Sequence, residues 1–245
     1  MFHFSYFWQS RCYTGVIARV DTRVNSSSGS NIYEELLLLL GEELKNPLIN
    51  IAHLSELNGK GAIIRAQAQR ALNTIDNVLL YKRFASGQTE LHPEPVHVGS
   101  AIAEVAAAVE PQMRMSSSHT ELDIQHALQT ADIDRRLLSG ALLSLWQAFI
   151  NSMQEPKNVV CSAQRISSGI RLSISSEGIN LDDFTLSATN VSSSQPVTGI
   201  AGSATDLITA QNMFQLAGAQ LAKTRLKNRA GLGVTLRPSS QMQLV

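Results

Sequence analysis

The stretch from Asn31 to Gly87 carries two helical stripes separated by one short break, and few folds accommodate that pattern. Apolar residues at 37, 40, 44, 48, 51 and 54 recur every three or four positions, which defines one face of a helix. Asn31 with Glu34 three residues on is a capping-box start. Gly59-Lys60-Gly61 breaks the stripe, and a second runs through Ile64, Ala68, Ala71, Ile75 and Val78 to Ser86-Gly87. Two amphipathic helices joined by so short a turn predict an antiparallel hairpin. A lone hairpin leaves both stripes in water. It therefore pairs with a second copy into a four-helix bundle, or packs on the rest of its own chain. Within the first stripe lies Gly41-Glu42-Glu43-Leu44-Lys45-Asn46-Pro47-Leu48, where the proline removes a hydrogen bond and kinks the rod.

Size and composition narrow the function classes. A chain of 245 residues has room for two modest domains. Net charge is zero, 16% of residues are charged and there is no basic block, which excludes a dedicated electrostatic nucleic-acid binder. Cys12 and Cys161 form no disulfide framework and have no metal-ligand spacing, so a reducing compartment is expected and no metal site is predicted. The longest apolar run, Leu36 to Leu40, is five residues and cannot span a bilayer. Met1 to Trp8 is aromatic but lacks the basic start and apolar stretch of a signal peptide. The expectation is a cytoplasmic protein without a membrane span.

Beyond the hairpin the pattern changes. Residues 1–30 read as an N-terminal segment ending in the linker Val24-Asn25-Ser26-Ser27-Ser28-Gly29-Ser30, residues 31–90 as the hairpin, and 95–240 as a second domain. His92-Pro93-Glu94-Pro95-Val96 is a helix-averse junction. Next come a helix over 99–110, short strands near 120–125 and 130–133, and a helix over 135–153. Strands at 158–164 and 169–175 precede a Ser/Thr/Asn-rich loop at 182–203, a helix at 204–217 and two antiparallel strands reaching Pro238. This order predicts an α/β sandwich with helices on one sheet face.

Several fragments resemble bacterial sensor histidine kinases. Glu42 to Leu48 matches five of the six defined positions of the phosphoacceptor motif H-E-L-R/K-x-P-L. Arg83-Phe84-Ala85-Ser86-Gly87 is similar to the R-L-x-S-G that ends the family's second dimerisation helix. Pro95-Val96-His97-Val98 stands where the family has P-V-x-L. Asp134 with Leu137, Leu138, Leu142, Leu143 and Leu145 resembles the approach to the asparagine box. Gly231-Leu232-Gly233-Val234-Thr235-Leu236 is similar to the closing G-x-G-T-x-F strand. The fragments run in family order over 31–238. The resemblance implies an α+β chain: a dimerisation hairpin, forming a four-helix bundle as a homodimer, followed by an α/β sandwich of the histidine kinase ATPase type. It implies work in two-component signalling, with a response regulator receiver domain as partner.

The chemistry departs from the family where it counts. The phosphorylated histidine is replaced by Glu42. His53, eleven residues on, is the alternative acceptor if the chain is an active kinase, with Asn151 supplementing Ser144 at the nucleotide. The two asparagines that hold magnesium and phosphate fall on Ser144 and Ala148, and alanine offers no ligand. In the first glycine box the adenine-binding aspartate position is Ser176, Gly178 is kept, and the second glycine is Asn180. Glu177 is one residue off and on a strand points to the opposite face. In the second box Asp206 puts negative charge where a triphosphate would sit. The reading is a degenerate core, a pseudokinase, that binds neither ATP nor magnesium in the family's way. Glu43 and Asn46 fit the family's E-x-x-T/N pattern for dephosphorylating a regulator, in which the amide orients the attacking water. A dimeric adaptor without a phosphotransfer role is the structural alternative.

Overall fold

The computed structural model describes residues 41, 44–45, 48–49, 51, 61–126, 128, 130–152, 158–177, 204–226 and 228–240. Within 41–51 every described residue is helical. This first helical stretch lies against helix α1, Gly61–Ala85. Lys45 pairs with Asp76 at 2.6 Å, and a side chain on Gly41 would run into Leu79. As residue numbers rise from 41 to 45 their partners fall from 79 to 76, so the two helices are antiparallel, as the stripes predicted. Helix α1 ends where Lys82 and Arg83 complement its dipole and Gly87, at φ 73°, takes a left-handed conformation that only glycine adopts cheaply.

The second unit begins with β1, Glu94–His97, and α2, Val98–Met115. His97 caps α2 by accepting a hydrogen bond at Nδ1 from the Ser100 N–H, 3.2 Å. The helix was expected to stop at 110 but runs on through Pro111. Val109 and Met113, both fully buried one turn apart, hold the last turn against the core and outweigh the bond the proline removes. Next come β2, His119–Ile124, β3, Thr130–Ile133, and α3, Arg135–Ser152. The remaining elements are β4, Asn158–Ile166, β5, Gly169–Ser176, α4, Ala204–Leu216, β6, Ala222–Leu226, and β7, Arg229–Leu236.

Five strands form one sheet in the order β2-β4-β5-β7-β6, parallel between β2 and β4 and antiparallel elsewhere. The register Cys161↔Ile174↔Leu232 puts the side chains of β4, β5 and β7 that are buried with the helices on one face. β1 and β3 form a separate antiparallel pair, which the junction's two prolines had concealed. Helix α3 is the centre of the core. Leu138, Leu142, Leu145, Trp146 and Phe149 are fully buried in it, with Ile102 of α2 and Phe214 of α4 in the same cluster. At roughly 25 cal/mol per Å² of apolar surface, each such side chain contributes about 1.5–3 kcal/mol. Among the described residues, no helix is long and apolar enough to cross a membrane.

Candidate functional site: the face of α3 and α4 covered by α1

Helix α3 starts at a well-made cap. Asp134, almost fully buried, accepts hydrogen bonds from the N–H groups of Arg136 at 2.9 Å and Leu137 at 3.4 Å. It also takes the His92 N–H at 3.0 Å and the Arg136 guanidinium at 2.7 Å. Burial alone would raise its pKa. The Arg136 side chain, the His92 and Arg136 N–H groups and the arginine's charge outweigh burial and hold the carboxyl below its ordinary 3.8. The same guanidinium lies over the Phe84 ring, 5.0 Å from its centroid, and so ties the end of α1 to the start of α3.

From that anchor α1 runs antiparallel along α3, with Phe84 beside Arg136 and Asn77 beside Ser144. Asn77 is buried, and its Nδ2 donates to Ser144 Oγ at 2.9 Å. One turn earlier Thr74 Oγ1 donates to Asp206 Oδ1, also 2.9 Å, in the first turn of α4. A single turn of α1 therefore bridges α3 and α4, and α1 packs on both helices. This is the second of the two packings open to the hairpin.

Of the expected nucleotide positions, Ser144, Ala148, Ser176 and Asp206 fall among the described residues. Ser144 and Asp206 are brought together, both buried and both bonded to α1. Ala148, one turn beyond Ser144, is 0% exposed. Asp206 sits where a helix N-terminus attracts anions, so the helix dipole acts on its own carboxylate there. Ser176 is not part of this group, because its Oγ donates to the Asn158 carbonyl at 3.0 Å and ties β5 to β4. Glu177 lies in the turn after β5, not on the strand, and reaches Arg229 at 3.5 Å on the surface. Glu42, Glu43, Asn46, His53 and Gly178 lie outside the described residues, as does the side chain of Asn151. At these positions Ala148 offers no ligand atom, Ser144 is engaged by Asn77 and Asp206 by Thr74. Among the described residues, no cluster of three or more His, Cys, Asp or Glu side chains could hold a metal ion.

Two residues that matter here, Thr74 and Asn77, were not singled out by sequence. Residues 71–80 carry four polar side chains, Asn73, Thr74, Asp76 and Asn77, and nothing local sets Thr74 and Asn77 apart from the other two. Gln147 was also missed. It is fully buried, and neither of its amide atoms has a hydrogen-bond partner.

No protein-family model matches the chain, and no curated protein matches it by sequence. Solved structures do match. Full-length ShkA in complex with AMPPNP superposes with a TM-score of 0.55 at 17% identity over 84% of this chain. The histidine kinase AdeS of Acinetobacter baumannii gives 0.52 at 15% identity over 81%. The chain spans 47% of the ShkA chain's length and 98% of the AdeS chain's. The fold is thus that of a sensor histidine kinase transmitter core, a helical hairpin followed by the ATPase-type α/β sandwich.

Proposed function

We propose that the chain is a histidine-kinase-like protein of two-component signalling that works as a pseudokinase: a dimeric scaffold that docks a receiver domain and uses no nucleotide. The observation that carries this reading is the state of the α3–α4 face. The positions that resemblance assigns to magnesium and phosphate hold a serine bonded to Asn77, a buried alanine and a carboxylate bonded to Thr74. Glu42 in place of the acceptor histidine supports the same reading, since it cannot form a phosphohistidine and its carboxylate carries part of a phosphoryl group's charge.

The hairpin supplies the docking and dimer surfaces in this reading. Leu44, Ile51 and Ile64 expose about half of their surface, 53%, 45% and 52%. Leu44 and Ile51 are seven residues apart and so lie on one helix face, the spacing of a helix–helix seam. A second copy covering that face would complete a four-helix bundle.

Two measurements test the proposal. Calorimetric titration with ATP and magnesium is expected to give no heat beyond dilution, and a stoichiometric site would restore the active-kinase reading. Mixing with response regulators of the same cell is expected to yield a complex in size-exclusion chromatography. A protein that dimerises yet binds none of them, phosphorylated or not, would be the adaptor. If a bound regulator loses phosphate faster, and Asn46→Ala abolishes the effect, the Glu43–Asn46 phosphatase activity is retained.

A further inference from the structure

We propose that the outer face of the sheet is a dock, and that its occupant is the aromatic segment Phe2 to Trp8 of this same chain. The proposal uses neither the acceptor motif nor the nucleotide positions, so it stands apart from the signalling reading.

Side chains alternate along a strand, so the residues between the core positions of β4, β5 and β7 face away from the helices. They form two rows, Val160 with Ser175 and Gly231, and Ser162 with Ser173 and Gly233. Helices α2, α3 and α4 share the core with these strands through the opposite face. Yet Val160 and Ser175 are 1% exposed, Ser173 2% and Ser162 4%, and Val160 is not part of that core. One layer of serine and glycine leaves gaps that water enters, so it hides a valine only when a second layer lies on it. Arg229 reaches over the first row to Glu121 at 3.6 Å, but the second row lies about 7 Å further along the strands. Ser162 Oγ and Ser173 Oγ satisfy each other at 2.7 Å. Ser175 Oγ is different: it is buried on this face and has no hydrogen-bond partner. A hydroxyl withdrawn from water is costly until a polar group is brought to it. The face therefore asks for an apolar cover that carries one polar group.

The start of the chain supplies both. Phe2, Phe4, Tyr6 and Trp8 recur with period two, the pattern by which an extended segment presents all four rings on one face. Large rings against serine and glycine make the large-on-small match through which layers interdigitate. Rings laid over strand glycines also shield backbone that has no side chain of its own. A buried tyrosine O–H or tryptophan N–H needs a partner, and Ser175 Oγ is one within this face. The segment belongs to residues 1–40, which lie outside the described residues. Residues 9–40 reach about 30 Å as a flexible chain, enough to pass round a sandwich of this size. The two sheet edges are poorer docks. β2 carries Glu121 and Asp123 and β6 carries Lys223 and Arg225, charges of the kind that discourage strand addition.

The test uses the full chain with Cys12→Ser and Ser173→Cys. The native Cys161, fully buried on the core face of β4, reports any unfolding of the sandwich. With a maleimide as probe, the thiol at 173 is expected to react about ten-fold slower than one introduced by Ala107→Cys on the exposed face of α2. Replacing Phe2, Phe4, Tyr6 and Trp8 by serine should speed reaction at 173 about ten-fold and leave Cys161 unmoved. Rapid reaction at 173 in the intact aromatic chain would overturn the proposal, because the face would be bare. Slow reaction indifferent to the serine replacements would overturn it too, since another cover would lie there. Protection that fades on dilution would assign the cover to a second copy and equally overturn it. A second measurement serves if the serine variant does not fold. Trp146 is fully buried, so iodide quenching of tryptophan fluorescence reads Trp8. Ser173→Arg sets a long charged side chain on the outer face and should raise that quenching about five-fold by displacing the segment. Equal quenching with and without Ser173→Arg would refute the dock.

Discussion

Ala148→Asn discriminates between a closed face and an open nucleotide cleft. Asparagine is what the histidine kinase pattern carries at this position, so a cleft of family shape would accept it without cost. Here the alanine is fully buried on the same side of α3 as Ser144. Adding the larger side chain overpacks a full site, which costs about 1–3 kcal/mol. Its amide finds no assured partner in surroundings where Gln147 already has none, which costs about 1–3 kcal/mol more. The sum is about 2–6 kcal/mol. For a domain of this size 1 kcal/mol moves the melting temperature by about 3 °C, so the expected drop is about 6–18 °C. Thermal unfolding followed by circular dichroism measures it. Ala107→Asn, on the exposed face of α2, is the control and should lose no more than helix propensity demands, about 0.7 kcal/mol. An Ala148→Asn protein that melts with the Ala107→Asn control would refute the reasoning, because position 148 would then open onto space able to receive a ligand.

Asp134→Asn should remove the acid sensitivity of the α3 cap. The folded carboxyl has the lower pKa, so its stabilisation is complete above the unfolded value near 3.8 and is lost as pH falls through the folded value; urea titrations from pH 6 to 2 should show a flatter profile for the variant. Cys161 has its thiol pushed up to about 12 by burial, so in a Cys12→Ser protein it should resist iodoacetamide at pH 8 and react fully in 6 M guanidinium. Gly169→Ala should destabilise by about 1–3 kcal/mol in urea, because φ there is 145° and a Cβ would lie 2.3 Å from the Leu236 carbonyl oxygen.

Most of the architecture was legible because it is periodic. The two stripes of the hairpin, the run of leucines in α3 and the alternation in β4 and β5 each repeat a pattern that only one element satisfies. What the sequence hid is non-local. The pairing of β1 with β3 joins residues almost forty positions apart, and Pro95 masks the strand that makes it. The last turn of α2 is helical past Pro111 because Met113 is buried, and burial is a property of the neighbours. At the site, sequence singled out Ser144, Ala148 and Asp206 as positions to examine. Their engagement by α1 did not show, since the bond between Thr74 and Asp206 spans 132 positions and leaves no local trace.

That engagement also has a packing consequence. Ser144 and Asp206 are buried where α1 crosses α3 and α4. A helix laid across such a face loses the hydration of the polar groups lining it unless its own side chains satisfy them. Thr74 and Asn77 do so for Asp206 and Ser144. A serine that accepts from Asn77 and a carboxylate that accepts from Thr74 suit a docked helix. Ser144 and Asp206 are therefore contacts of a helix–helix interface, and α1 and the sandwich are joined through them.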